Sequence, residues 1–201
     1  MSSHHPEAPE LEIARWFNTD TALTLESFRG RVLVMHAFQM LCPACVSHGL
    51  PQATKTRQNF AAKDVAVIGL HSVFEHHAVM TPAALDAFIH EYRLTFPIGI
   101  DRPAQGSIPA TMRAYQLQGT PSVVLIDKRG RLRLSHFGVI DDMALGAAIG
   151  RLAAEDAPAP IVRVADEIRR SEVCATEQTA IQYVLIAASA IALVREFAST
   201  G

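Results

Sequence analysis

Apolar residues in this chain fall in short unbroken runs, with polar stretches of helical period between them. "RVLVMHAF" (31–38) and "DVAVIGLHSV" (64–73) are apolar and rich in β-branched residues, as strands buried on both faces are. "FPIGID" (96–101) and "SVVLID" (122–127) are shorter runs of the same kind, and "RLRLSHFG" (131–138) follows the turn "KRG" as the second arm of a hairpin. "TPAALDAFIHEY" (81–92) has a helical period: Thr81 is its N-cap, Pro82 its first residue, and Leu85, Phe88 and Ile89 share one face. A helix is also expected from Pro43 to about Phe60, kinked at Gly49 to Pro51 because proline removes a helix hydrogen bond. Further helices are expected at 110–117 and 141–155.

The order is β-α-β-α-β-α-β-β-α, which predicts an α/β fold. It implies a central mixed sheet with helices on both faces, the last hairpin adding antiparallel strands. Residues 10–30 form an opening segment in which Trp16 and Phe17 pack on the core, "TLESF" is a short helical turn, and Gly30 ends it. The domain is expected over 10–155, after a disordered N-terminus at 1–9. Beyond it the character changes. "DAPAPIV" is a linker, "RVADEIRRSEVCATEQ" a polar helix, and "TAIQYVLIAASAIALV" (179–194) almost wholly apolar. That last stretch is shorter than the roughly 20 residues that span a bilayer. A helix packed on the domain or on a partner subunit is the favoured reading, ahead of a poorly ordered tail; membrane contact through 179–194 is admitted but not favoured.

Composition narrows the function. Hydrophobic residues make up 49% of the 201 and charged residues 19%, a globular balance. A net charge of −2 gives no electrostatic footprint for nucleic acid. No basic start followed by an apolar run marks a secretory signal, so the cytoplasm is the expected location. Three cysteines are too few for a disulfide scaffold, and in a reducing compartment a close pair points to catalysis or metal binding.

Two of the three stand in "FQMLCPACVSHGLP" (38–51), as Cys42 and Cys45. Spacing alone admits a redox pair, half of a zinc site, or two inert buried thiols. The surroundings favour redox. A strand ends where a helix begins, so Cys42 would sit at a helix N-terminus, where free N–H groups stabilise a thiolate. Cys45 lies one turn on, within reach of a disulfide. No second CxxC completes a zinc site, Cys174 is far along the chain, and His71, His76 and His77 follow another strand. Thr120 and Pro121 open the strand at 122, so the bond between them is a candidate for the cis isomer, and the Thr120 backbone could then pair with an extended substrate segment.

"FQMLCPAC" after a buried strand, "QGTPSVVLID" and "KRGRLRLSHFG" together resemble the thioredoxin fold. With "TFPIGID" leading into "AYQLQGTPS", and "WFNTDTALTLESFRGRVLVMHAF" ahead, the chain over 10–155 is similar to the redoxin group, the TlpA-like thiol–disulfide oxidoreductases and AhpC/TSA-type proteins. The resemblance implies a three-layer thioredoxin-like domain. It implies Cys42 as nucleophile, Cys45 as resolving thiol, and Pro121 as the cis-proline with Thr120 before it. It implies no cofactor. The partners would be a protein or small-molecule disulfide and a cellular thiol reductant. Two positions depart from the family. His36 stands where thioredoxins bury an acid, and His48 where many TlpA-like proteins carry Glu. Either imidazole is a candidate to shuttle a proton to or from Cys45, its ordinary pKa being near 6.5.

A thiol peroxidase is the alternative enzyme. Peroxiredoxins, however, carry Pro and Thr where this chain has Met35 and Gln39, so the hydroxyl that orients the peroxide is missing. A copper- or zinc-binding module is the non-enzymatic alternative, with His136 a loose match for a distant ligand.

Overall fold

The computed structural model describes residues 5–156. The expected extension lies outside the described residues from 157 onward, and with it Cys174 and the stretch 179–194. The chain divides into two units, Met1–Pro158 and Ala159–Gly201, and the first holds everything below.

Six strands form one mixed sheet: β1 (Ile13–Phe17), β2 (Val32–Phe38), β3 (Val65–His71), β4 (Ile98–Asp101), β5 (Ser122–Ile126) and β6 (Leu132–Phe137). Their spatial order is β1-β4-β3-β2-β5-β6. β2, β3 and β4 run parallel, while β1, β5 and β6 pair antiparallel with their neighbours. Four α-helices accompany them: α1 (Leu50–Asn59), α2 (Pro82–Glu91), α3 (Ala110–Ala114) and α4 (Asp142–Ala154). The expected α/β architecture is the observed one.

β2 and β3 are buried at every position, which is why their sequences run apolar without alternation. Successive side chains of β2 feed two cores. Val32, Val34 and Phe38 pack with Leu50 and Ala53 of α1, Leu85 of α2, and Leu145 and Ile149 of α4. Leu33, Met35 and Ala37 pack on the other face with Leu25 and Phe28 of a short 3-10 turn and with Met112 of α3. Helices therefore cover both faces.

Three expectations are corrected. The opening segment contains a strand, β1. It is short, exposed at two of its five positions and at the sheet edge, so its period is faint. Trp16 and Phe17 nonetheless divide between the two cores as alternation requires. β1 lies so close on β4 that a Cβ at Gly99 would come within 2.9 Å of the Ile13 side chain. Second, the helix expected at 110–117 stops at Ala114, because Gln116 takes a left-handed conformation (φ 53°) and Leu117 N–H returns to the Met112 carbonyl at 2.9 Å. Third, the ordered chain reaches back before residue 10: Leu132 N–H donates to the Pro6 carbonyl and Ala8 N–H to that of Gly130, each at 2.9 Å.

The helix caps follow the sequence. Thr81 Oγ1 accepts from Ala84 N–H ahead of α2, and the Asp141 carboxylate accepts from Met143 and Ala144 N–H ahead of α4.

Candidate active site

The helix that follows β2 begins at Pro43 and contains an irregular turn. From Cys45 to Gly49 it is a π-helix, closed by Leu50 N–H on the Cys45 carbonyl, and α1 continues from there. Pro51 has no N–H to continue the regular ladder, which accounts for the wider turn at the expected kink. The turn has a packing consequence. A Cβ at Gly49 would lie 3.3 Å from Pro121 Cβ, tighter than ordinary contact, so a larger residue there would push the helix and the proline loop apart by a few tenths of an ångström.

Cys42 and Cys45 are joined by a disulfide, with Cα atoms 5.2 Å apart. Cys45 is wholly buried in the first core, and Cys42, half-buried, packs against it. Cys45 N–H points at Cys42 Sγ, 3.2 Å away. In the reduced protein the same N–H is placed to stabilise a Cys42 thiolate. The Thr120 carbonyl oxygen lies 3.5 Å from Cys42 Sγ. The Thr120–Pro121 bond is cis, as the sequence suggested, and the Pro121 carbonyl accepts from Gly138 N–H at the end of β6. The structure thus brings together Cys42, Cys45, Thr120 and Pro121.

The two histidines part company. His36 is 3% exposed on β2, on the strand face whose other residues pack with Cys45. Its Nε2 has no hydrogen-bond partner within the protein, and burial pulls its pKa down to about 4, leaving a neutral imidazole at pH 7. His48 is exposed in the π-turn, with Nδ1 2.7 Å from Ser47 Oγ.

Other features of the site were not read from sequence. His71, at the end of β3 opposite Phe38, is 1% exposed, lacks a partner at either ring nitrogen, and is likewise held neutral by burial, with a pKa of about 4. Gln39 Oε1 is also buried without a partner. Phe137 stands half-exposed over Gly119, where a Cβ would come within 2.8 Å of its ring. An aromatic beside Gly138 at the end of a hairpin, facing a "GTP" loop, was the available signal. Among the described residues no group of three or more His, Cys, Asp or Glu is arranged to hold a metal, so His71, His76 and His77 form no such cluster.

The Redoxin family model matches residues 6–146, most of the chain. The chain belongs to the redoxin family. Among solved structures it is similar to a thioredoxin-like superfamily protein at 57% identity, covering 76% of this chain and 99% of that one, with a TM-score of 0.75. It is similar also to a thiol-disulfide isomerase from Corynebacterium glutamicum at 49% identity, covering 74% of this chain and 98% of that one, with a TM-score of 0.71. A thiol:disulfide interchange protein DsbE from Chlorobium tepidum shares the fold at 20% identity and a TM-score of 0.62, covering 75% of this chain and 97% of that one. No curated protein matches. Among the described residues no helix is long and apolar enough to cross a membrane.

Proposed function

We propose that this redoxin-family thiol–disulfide oxidoreductase reduces disulfides, drawing electrons from a cellular thiol in a reducing compartment such as the cytoplasm. The observation that carries the reading is the asymmetry of the Cys42–Cys45 disulfide: one sulfur meets the surface beside the Thr120 carbonyl, the other lies inside the core. In the reduced enzyme the Cys42 thiolate attacks one sulfur of the substrate disulfide. A mixed disulfide forms and the first substrate thiolate leaves. Cys45 then attacks Cys42 Sγ, closing the intramolecular disulfide and releasing the second substrate thiolate. The two electrons come from the Cys42–Cys45 pair, which a cellular thiol reduces again. Thr120 and Pro121 form the edge along which an extended substrate segment lies.

Cys45 must lose a proton to attack. His36 is the better placed of the two histidines, since it is buried on the face of β2 that packs with Cys45, whereas His48 faces solvent and Ser47. Burial holds the His36 imidazole at a pKa of about 4, so it keeps a proton only briefly near neutral pH. His36 therefore acts as a transient acceptor, concerted with the attack of Cys45.

Titration in glutathione or dithiothreitol buffers, read by alkylation and mass, tests the reading. A reversible two-electron transition within the roughly −270 to −120 mV span of known exchangers is expected. A pair that forms no reversible disulfide there ends it. Cys45→Ser should accumulate a mixed disulfide on Cys42 that reductant removes.

A further inference from the structure

We propose that a cavity at the sheet edge that also carries the redox pair is a specificity pocket for one aliphatic side chain of a polypeptide substrate, carried two or three residues from the cysteine under attack. This rests on the thiol–disulfide reading above and names the substrate class. The cavity holds about 190 Å3 between the loop after β3 and the loop after β4. Val73, Met80, Ile100 and Pro109 give it an apolar lining, and Ala104 and Ser107 belong to its wall.

Position argues for a link to catalysis. β2, β3 and β4 run parallel, so the loops after β3 and β4 emerge at the same edge of the sheet as the Cys42 turn after β2. Ser72 N–H donates to the Phe38 carbonyl at 3.1 Å, tying the end of β3 to the end of β2. Met80 and Val73 belong to the apolar cluster that contains Cys45 and Cys42, so the pocket lining is continuous with the packing behind the disulfide. β3 and β4 lie one and two strands from β2, or about 5 and 10 Å at ordinary strand spacing. An extended chain advancing about 3.3 Å per residue covers that distance in two or three residues.

Size argues for the occupant. Sites for whole small molecules run from about 300 to 1,000 Å3. A cavity of about 150 Å3 accepts a molecule as small as benzene. At 190 Å3 this pocket suits a single Leu, Ile or Met side chain. Asp101, the carboxylate in the lining, is taken up by Ser72 Oγ and by the N–H groups of Thr111 and Met112, so it braces the wall.

The test uses the full chain and glutathione mixed disulfides of Cys peptides, in which a single Leu is moved from four residues before to four residues after the cysteine and is compared with Asp at each place. Leu should raise kcat/KM about 10- to 100-fold over Asp at one position two or three residues away, the factor expected for burying one aliphatic side chain. Ala104→Trp, which fills the pocket, should bring that ratio close to one. Should that variant not fold, Met80→Ala, which enlarges the pocket, should move the preference from Leu toward Phe. A ratio near one at every position in the wild type, or a Leu preference untouched by either variant, overturns the pocket. Failure of the wild type to reduce 5,5′-dithiobis(2-nitrobenzoic acid), a disulfide with no side chain to seat, would overturn the redox reading instead.

Discussion

At the edge of the sheet where β2 begins, Asp127 accepts hydrogen bonds from Arg129 and Arg131 N–H and from the Arg131 and Arg133 guanidinium groups, while Arg133 grips Glu155 with contacts of 2.6 and 2.8 Å. Lys128 Nζ caps the end of α4 on the Ala153 and Glu155 carbonyls. Toward the end of β2, His36, Gln39 and His71 bury polar atoms that meet no partner, and Leu41, next to Cys42, and Phe137, over Gly119, expose apolar surface. A buried polar atom without a partner costs about 1–3 kcal/mol, and the first edge avoids that cost at Asp127. Local consistency is thus lower at the edge that carries the proposed active site than at the Asp127 edge.

The largest expected effects separate the edges outright. Cys42→Ser should drop disulfide exchange to the uncatalysed level, measured by reduction of a peptide disulfide, while the melting temperature of the reduced protein hardly moves. Asp127→Ala should do the reverse. It leaves two arginines beside an emptied, 4% exposed position, at a cost of about 3–5 kcal/mol. The melting temperature should fall by roughly 10 °C for a domain of this size, with the midpoint potential of the cysteine pair unchanged. A shifted potential in Asp127→Ala would mean that the two edges are coupled.

The next effect is in pH. Unfolded imidazoles protonate near 6.5, whereas folded His36 and His71 do so only near 4. In that window the unfolded chain binds more protons, so stability falls as pH drops from about 6.5 to 4, by up to about 3 kcal/mol for each histidine. The other edge titrates lower. Burial pushes the Asp127 carboxyl up, but the Arg131, Arg133 and Arg129 donors together hold it below its ordinary value, and the Arg133 hydrogen bonds do the same for Glu155. Their contribution is present above the ordinary carboxylate range and is lost below it. Asp101, raised by burial against its N–H donors, works in the opposite sense and offsets part of the acid loss. Urea unfolding at pH 7, 5 and 3 should show two separate losses; a stability flat down to pH 4 would show that the histidines are not held neutral.

Sequence revealed much of this, for physical reasons. Strands buried on both faces leave unmistakable apolar runs, and Thr81 and Pro82 announce their helix. The CPAC turn and the Thr120–Pro121 loop were legible because backbone geometry demands those residue types. β1 was not, because a short half-exposed edge strand has no clear period. Nor was the closeness of Gly49 to Pro121, or of Phe137 to Gly119, since contacts between distant segments leave no local pattern. His36 was noticed for its place relative to Cys42. His71, equally buried, was considered only as a metal ligand, because an isolated histidine after an apolar run carries no sign of its missing partners.

That pair of histidines yields the smallest and sharpest prediction. Replacing a buried polar group that has no partner by an apolar one of similar size is neutral or stabilising. His71 touches the Phe38 ring at a centroid distance of 5.3 Å, a contact a leucine can replace with packing. His71→Leu should therefore raise stability by about 1 kcal/mol at pH 7 and by more at pH 5, where the wild type has begun to pay for its neutral imidazole, with disulfide exchange unaltered. His36→Leu should bring a similar gain in stability but slow the second step of exchange, in which Cys45 attacks, and make that step depend more steeply on pH, since Cys45 must then ionise without an acceptor. His36→Asn, which keeps a hydrogen-bonding group, should restore part of the rate but not the pH profile. Equal behaviour of the two leucine variants in the exchange assay would make His36 a core residue like His71, and the proton taken from Cys45 would have to go elsewhere.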